Sequence, residues 1–179
     1  VEVQQLMAPQ KSMRLQMTAP FSNIMIDFCG PFNAVDEVKR RTKKKLYFLI
    51  VSCLSTRAIN TVVCTDLSTD GFIMGLRNHI AVRGAPKSCH SDLGTNFIGS
   101  KRVILGEPMD LNIKQIEDFA LNGGFTIHFG TPNHPEGQGA VEKSVDLFKK
   151  SLKRNHEHVT FTTLEWITIV AEITSLVND

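Results

Sequence analysis

Three carboxylates stand out by where they fall. Asp27 interrupts the apolar run Ile24-Met25-Ile26-Asp27-Phe28-Cys29, Asp92 follows a short strand-like run at 85–89, and Glu142 opens a segment of helical periodicity. An acid inside a buried strand is costly unless it is hydrogen-bonded, paired or bound to a cation. The plain reading of Asp27 is a carboxylate satisfied by backbone donors near a strand end. The chemical reading requires all three acids to meet. Carboxylates brought together repel one another unless divalent cations neutralise them. An all-oxygen ligand set suits Mg²⁺ or Mn²⁺ rather than zinc. Two such ions about 4 Å apart can activate one oxygen and stabilise another during phosphoryl transfer.

The elements that must position these acids can be read from the apolar pattern. Strand 24–29 is expected to end at Gly30-Pro31. The run 46–54 is apolar throughout, as in a central strand buried on both faces, and 57–64 is rich in β-branched residues. Three strands in succession predict an antiparallel meander. Ser68-Thr69-Asp70 has the chemistry of a helix start, Phe72, Ile73, Leu76 and Ile80 then share one face, and Gly84 closes the helix. Strand 85–89 delivers His90-Ser91-Asp92-Leu93-Gly94-Thr95-Asn96-Phe97, where Gly94 permits a turn. Sites in open α/β sheets lie at such carboxyl ends of strands.

The segment 96–105 reads as a helix. A short helix is predicted at 112–121 with Ile113, Ile116 and Ala120 inward, and a strand at 125–129. Three Gly and two Pro mark 130–139 as a loop. It runs into a helix whose Val141, Val145, Phe148 and Leu152 form an apolar face, with Glu142, Lys149 and Lys153 on a neighbouring face. A last helix, 163–177, is expected to pack Leu164, Ile167, Val170, Ala171 and Ile173 on the sheet. The order β-β-β-α-β-α is the ribonuclease-H-like arrangement: an α/β fold with a five-stranded mixed sheet flanked by helices. Its first and fourth strands are neighbours, which would set Asp27 beside Asp92 and bring Glu142 over the same edge.

The chain has 179 residues, enough for one domain with its own core. Apolar residues make up 42% and charged residues 21%, an ordinary globular balance. No apolar run approaches the roughly 18 residues that span a bilayer, so no membrane is expected. The polar start, Val1-Glu2-Val3-Gln4-Gln5, lacks a signal peptide and reads as the beginning of an excised fragment. Cys29, Cys53, Cys64 and Cys89 contain no Cys-x-x-Cys pair that would suggest zinc. Each sits in an apolar run, where buried free thiols are common, and this favours an intracellular setting. Net charge is only +2, so a nucleic-acid surface must be local. Six of the seven residues in Lys39-Arg40-Arg41-Thr42-Lys43-Lys44-Lys45 are basic. That run reads either as a solvated hairpin tip or as a phosphate-contacting or nuclear-targeting patch.

Several segments, in order, resemble the integrase core of retrotransposons, in particular the BEL/Pao group. They are Phe28-Cys29-Gly30-Pro31-Phe32, Val51-Ser52-Cys53-Leu54-Ser55-Thr56-Arg57-Ala58, Asp66-Leu67-Ser68-Thr69-Asp70-Gly71-Phe72 and Ser91-Asp92-Leu93-Gly94-Thr95-Asn96-Phe97. Pro135-Glu136-Gly137-Gln138-Gly139-Ala140-Val141-Glu142 is similar to the loop and helix start that carry the last catalytic acid of retroviral integrases. The resemblance covers 21–178. Residues 1–20 look like the linker after the family's zinc-binding domain, which is absent here, leaving 21–179 as the catalytic core.

The resemblance implies a DDE polynucleotidyl transferase with Asp27, Asp92 and Glu142 as catalytic acids and as ligands of two Mg²⁺ or Mn²⁺ ions. It implies that Asn96, Gln138, Lys149 and Lys153 contact DNA. Element ends and target DNA are the implied partners, a homo-oligomer the implied assembly, and the nucleus the implied destination after assembly in cytoplasmic element particles. Two departures stand out. The 49 residues between Asp92 and Glu142 exceed the retroviral interval, with the excess mapping onto an insertion at 106–123. Leu93 stands where the family usually has Asn. Two other readings use the same residues: a hydrolytic nuclease of this fold, and a non-catalytic DNA-binding or assembly module derived from an integrase.

Overall fold

The computed structural model describes residues 18–39, 41, 43–91, 97–98, 101–104, 107–109, 111–129, 139–156 and 160–179; the side chains of 97–98, 101–104, 107–109, 139–142 and 155–156 are outside that description. In chain order the elements are β1 (Asn23–Val35), β2 (Lys43–Cys53), β3 (Ile59–Cys64), α1 (Thr69–Arg83), β4 (Ser88–Ser91), β5 (Phe97–Ile98), β6 (Lys101–Ile104), β7 (Glu107–Met109), α2 (Ile113–Asn122), β8 (Thr126–Phe129), α3 (Gly139–His156), β9 (Phe161–Thr162) and α4 (Thr163–Asn178).

The main sheet runs β3-β2-β1-β4-β8, with the short β9 added against β1. β1, β2 and β3 form the expected antiparallel meander. β4 and β8 are parallel to β1 and to each other. This is the mixed, helix-flanked sheet of the ribonuclease-H-like fold. Strand alternation sends side chains to two cores. On one face, Ile24, Ile26, Phe28, Leu49 and Val51 pack with Phe72 and Leu76 of α1 and Ile116 and Ala120 of α2. On the other, Leu46, Phe48 and Ile50 pack with Val145, Phe148 and Leu152 of α3 and Trp166, Val170 and Ile173 of α4. All four cysteines are buried free thiols. Among the described residues no helix is long and apolar enough to cross a membrane.

Three expectations are corrected. β1 does not stop at Gly30-Pro31 but runs on to Val35, with a register shift between Cys29 and Phe32. Proline has no N–H to give a ladder, and an irregularity of this kind takes it out of the pairing. A Cβ on Gly30 would lie 3.0 Å from the Leu46 carbonyl, so the crossing also needs glycine. The segment 96–105 is not a helix: β5 and β6 pair antiparallel and β7 adds to them in a separate three-stranded sheet. Phe97, Ile98, Val103 and Ile104 have the strand-forming side chains this requires. Finally, α4 buries Trp166, Val170, Ile173 and Thr174, while Leu164 and Ile167 remain 66% and 48% exposed. A capping box between Thr162 and Glu165 starts this helix, and Trp166 enters a ring cluster with Phe32, Phe48 and Phe161. Its Nε1 donates to the Asn33 carbonyl at 3.0 Å.

Candidate active site

Asp27 owes its position to the parallel pairing of β1 with β4. The register aligns Asn23 with Ser88, Ile24 with Cys89, Met25 with His90 and Ile26 with Ser91. The last aligned pair is thus made by the residues that immediately precede Asp27 and Asp92 in sequence. Ile26 and Ser91 are both almost fully buried, so the two strands lie side by side in the core at this point. Asp27 lies across from Ile50, on the face covered by α3 and α4.

The Asp27 carboxylate is half-buried and engaged at both oxygens. Oδ1 accepts the N–H of Phe28 at 2.7 Å, and Oδ2 accepts from Lys149 Nζ at 2.6 Å. The backbone-donor reading of this acid therefore describes one oxygen, and an ammonium holds the other. The two side chains are 40% and 32% exposed. A pair that wet contributes at most about 1 kcal/mol, so its interest lies in the charge placed at Oδ2. Two residues further along β1, burial pushes the Cys29 thiol up to about 11; Lys149 and Lys153 pull it back and Asp27 adds to the rise. Cys29 is thus a neutral core thiol, and both lysines of α3 act on this patch of the sheet.

β4 and β8 extend the same face. His90 and His128 are aligned partners with rings stacked at 5.1 Å. This pair was missed in the sequence. Its signal was the strand alternation that sets Cys89 and Ile127 in one core and the histidines opposite.

The resemblance motif at 66–72 has a structural explanation. Asp66 Oδ1 accepts from the Ser68 N–H at 2.9 Å and from the Ser68 hydroxyl; Ser68 Oγ in turn accepts the Gly71 N–H at 3.0 Å and caps α1. These hydrogen bonds, the hydroxyl's first, hold the Asp66 carboxyl below its usual range.

No protein-family model matches the chain. Over 162 residues, 90% of its length, the chain is 22% identical to the Pro-Pol polyprotein of feline foamy virus. Over 135 residues, 75% of its length, it is 26% identical to the Pro-Pol polyprotein of simian foamy virus type 3 (strain LK3). The match spans only 12% and 10% of those polyproteins. Among solved structures, the catalytic core domain of BIV integrase superimposes with a TM-score of 0.52 at 17% identity, over 88% of this chain and 81% of that one. A chain of the simian T-cell lymphotropic virus intasome, solved in complex with PP2A regulatory subunit B56 gamma, gives 0.54 at 11% identity over 97% and 52%.

In fold, this chain is similar to the catalytic cores of retroviral integrases.

Within this fold the predicted site residues fall unevenly. Asp27, Lys149 and Lys153 are described, and the first two touch. Glu142 lies in the first turns of α3, seven residues before Lys149, with its side chain outside the description. Asp92, Asn96 and Gln138 lie outside the described residues. Among the described residues no group of three or more His, Cys, Asp or Glu side chains could hold a metal ion.

Proposed function

We propose that this chain is the core of a metal-dependent polynucleotidyl transferase that trims the 3′ ends of element DNA and joins them to target DNA. The observation that carries the reading is the β1–β4 register, which ends one residue before Asp27 and one residue before Asp92. The position of α3 supports it: Lys149 of that helix reaches Asp27, and Glu142 precedes it by about two turns.

The residues suit a hard divalent cation. Asp27 offers an accessible carboxylate oxygen, and that oxygen already faces a positive charge. Asp92 and Glu142 would add only oxygen donors, the chemistry of Mg²⁺ or Mn²⁺. When bound, a pair of such ions supplies Lewis-acid stabilisation of the entering and leaving oxygens. Asp27 would hold one ligand position from a rigid central strand, with its Oδ1 oriented by the Phe28 N–H. Lys149, once released from Asp27, would be free to meet a DNA phosphate. Lys153, one turn further along α3, would extend that contact, and Asn96 and Gln138 would approach the bound strand.

In this reading the substrate is DNA at the element ends and in the target, the active assembly is a homo-oligomer, and the protein works in the nucleus. Residues 1–20 are a linker, and 106–123 holds the added length between the second and third acids. Within that stretch α2 packs Ile116 and Ala120 into the core. The order of motifs supports a retrotransposon source of BEL/Pao type.

A strand-transfer assay with Mg²⁺ tests the proposal. Asp27→Asn, Asp92→Asn and Glu142→Gln are each expected to abolish joining while leaving the circular dichroism spectrum unchanged. A near-normal rate in any one of them would show that its acid is misassigned.

A further inference from the structure

The run of basic residues at 39–45 has no part in the site above, and the structure gives it a definite place. Its described members, Lys39, Arg41 and Lys43 to Lys45, lie in the connection between β1 and β2 and at the start of β2. Residues 36–45 hold six of the 20 basic residues and two of the 18 acidic ones. The hairpin tip therefore carries the positive balance of the whole chain, and the remainder is net acidic.

This tip is a built feature rather than a loose tail. Val35 pairs with Lys43 and Ala34 with Lys44 at its base. β9 flanks β1 at Ala34 and Val35, and the Trp166 indole is bonded to Asn33. In the turn, Asp36 Oδ1 accepts the N–H groups of Val38 and Lys39, both at 2.9 Å. Lys44 lies 3.8 Å from Glu37, so that charge is partly matched. Lys39, Arg41 and Lys43 are exposed. Among the described residues none of these three side chains pairs with a carboxylate. Cations without a carboxylate partner at the end of a paired hairpin suit a regular polyanion. Asp27 and Val35 are eight residues apart on one strand, roughly 26 Å at about 3.3 Å per residue. That is about eight phosphate spacings along one DNA strand.

We propose that the β1–β2 hairpin tip binds the phosphate backbone of duplex DNA, with Lys39, Arg41 and Lys43 as its contacts. The choice of duplex DNA rests on the integrase reading. The site is separate from the acids and needs no metal.

The test is fluorescence anisotropy of a labelled duplex of arbitrary sequence, in chelator, across about 50 to 200 mM salt. The triple variant Lys39→Gln, Arg41→Gln, Lys43→Gln is expected to bind about tenfold more weakly, with a log–log salt slope shallower by about 3. A control with the same change of net charge, Arg77→Gln, Lys87→Gln, Lys114→Gln, is expected to change the slope by less than about 1. Equal losses in the two triples would overturn the proposal, because only overall charge would then matter. Should the hairpin triple fail to fold, Lys39→Gln and Arg41→Gln singly are each expected to remove about one unit of slope; no change in either would overturn it. Unchanged DNA binding with lost nuclear accumulation of a fused reporter would assign the cluster to an import protein and equally overturn it. A wild-type chain that binds through the hairpin yet joins no ends with Mg²⁺ would sink the enzymatic reading and leave the hairpin site standing.

Discussion

Lys149 and Asp27 are 122 residues apart in sequence and meet at 2.6 Å, Nζ to Oδ2, across the interface between α3 and the central strand of the sheet. A cation thus already occupies one oxygen of this carboxylate. This ammonium balances the charge of the Asp27 carboxylate. It also means that a DNA-contacting role for Lys149 and a metal-binding role for Asp27 exclude the contact seen here. Both would become available together if a divalent cation took the place of the lysine.

Removing Lys149 is therefore expected to tighten metal binding. Lys149→Ala should bind Mn²⁺ with a lower Kd than the unmodified chain in an electron paramagnetic resonance titration. Its urea midpoint in chelator should fall only slightly, by at most about 1 kcal/mol of stability. Equal or weaker Mn²⁺ binding would show that the ammonium does not compete for that carboxylate. Its DNA phenotype should depend on metal as well. With Ca²⁺ present the salt slope is expected to drop by about 1, and in chelator by close to zero.

The cap at the start of α1 gives a second, purely structural test. Ser68→Ala removes the acceptor for the Gly71 N–H and is expected to cost about 1 kcal/mol. Gly71→Ala would press a methyl against the Asp66 side chain and within 2.9 Å of its carbonyl oxygen, and is expected to cost more. Hydrogen bonds from Ser68 hold the Asp66 carboxyl below its ordinary value of 3.8. A depressed acid adds stability that is fully present above its unfolded pKa and is lost as pH falls through the folded one. Asp66→Asn should then be less stable than the unmodified chain near pH 7, with the gap closing as the pH drops below about 4. A gap that persists in acid would show that the loss is steric.

His79 sets a wider pH window. It is fully buried between α1 and β3, with Asn60 Nδ2 3.0 Å from Nδ1 and Phe21 against its ring at 5.3 Å. Burial, helped by the nearby Arg83 charge, lowers its pKa from 6.5 to about 4. For a histidine held neutral in the fold, stability is complete above the unfolded pKa and falls as pH drops from 6.5 towards 4, by up to about 3 kcal/mol over that span. His79→Gln is expected to flatten this part of the stability curve in urea titrations between pH 7 and 4. A slope unchanged by the substitution would move the effect to another group.

The parts legible in sequence were those whose pattern is local. The run 46–54 reads as a central strand because it is apolar on both faces, and Ser68 reads as a cap because its hydroxyl can serve a backbone N–H. Once the β-β-β-α-β order is read, the neighbouring of β1 and β4 follows. Other features were hidden because no local period carries them. In 97–104 the apolar residues come as adjacent pairs, which periodicity alone cannot assign to helix or strand. The helix at 163–178 has apolar residues on most of its circumference, so nothing in its spacing says that Trp166 faces inward and Leu164 outward. The bond between Lys149 and Asp27 depends on how α3 crosses β1, a tertiary fact. Asp92 and Gln138, whose roles rest on resemblance, fall outside the described residues, and so does the side chain of Glu142.

Neutralising the acids one at a time separates a metal site from a set of structural carboxylates. In the metal-free protein Asp27 already has Lys149 as its counter-ion, so Asp27→Asn removes a favourable pair. It is expected to melt slightly below the unmodified chain in chelator, by the equivalent of at most about 1 kcal/mol. If Asp92 stands beside it, as the register ending at Ile26 and Ser91 favours, its charge adds repulsion that one ammonium relieves only in part. Asp92→Asn is then expected to melt higher in chelator. Mg²⁺ or Mn²⁺ at a hundredfold excess over Kd should stabilise the unmodified chain by about 2.7 kcal/mol and do little for either variant. Scanning calorimetry with and without chelator reads all of these arms. A lower melting temperature for Asp92→Asn, with no metal effect that distinguishes the proteins, would make Asp92 a turn residue. The non-catalytic DNA-binding module would then be the better account, with Leu93 its second support. A higher melting temperature for Asp27→Asn would show that the lysine does not compensate the first acid, and that the cluster is more strongly repulsive than the ion pair allows.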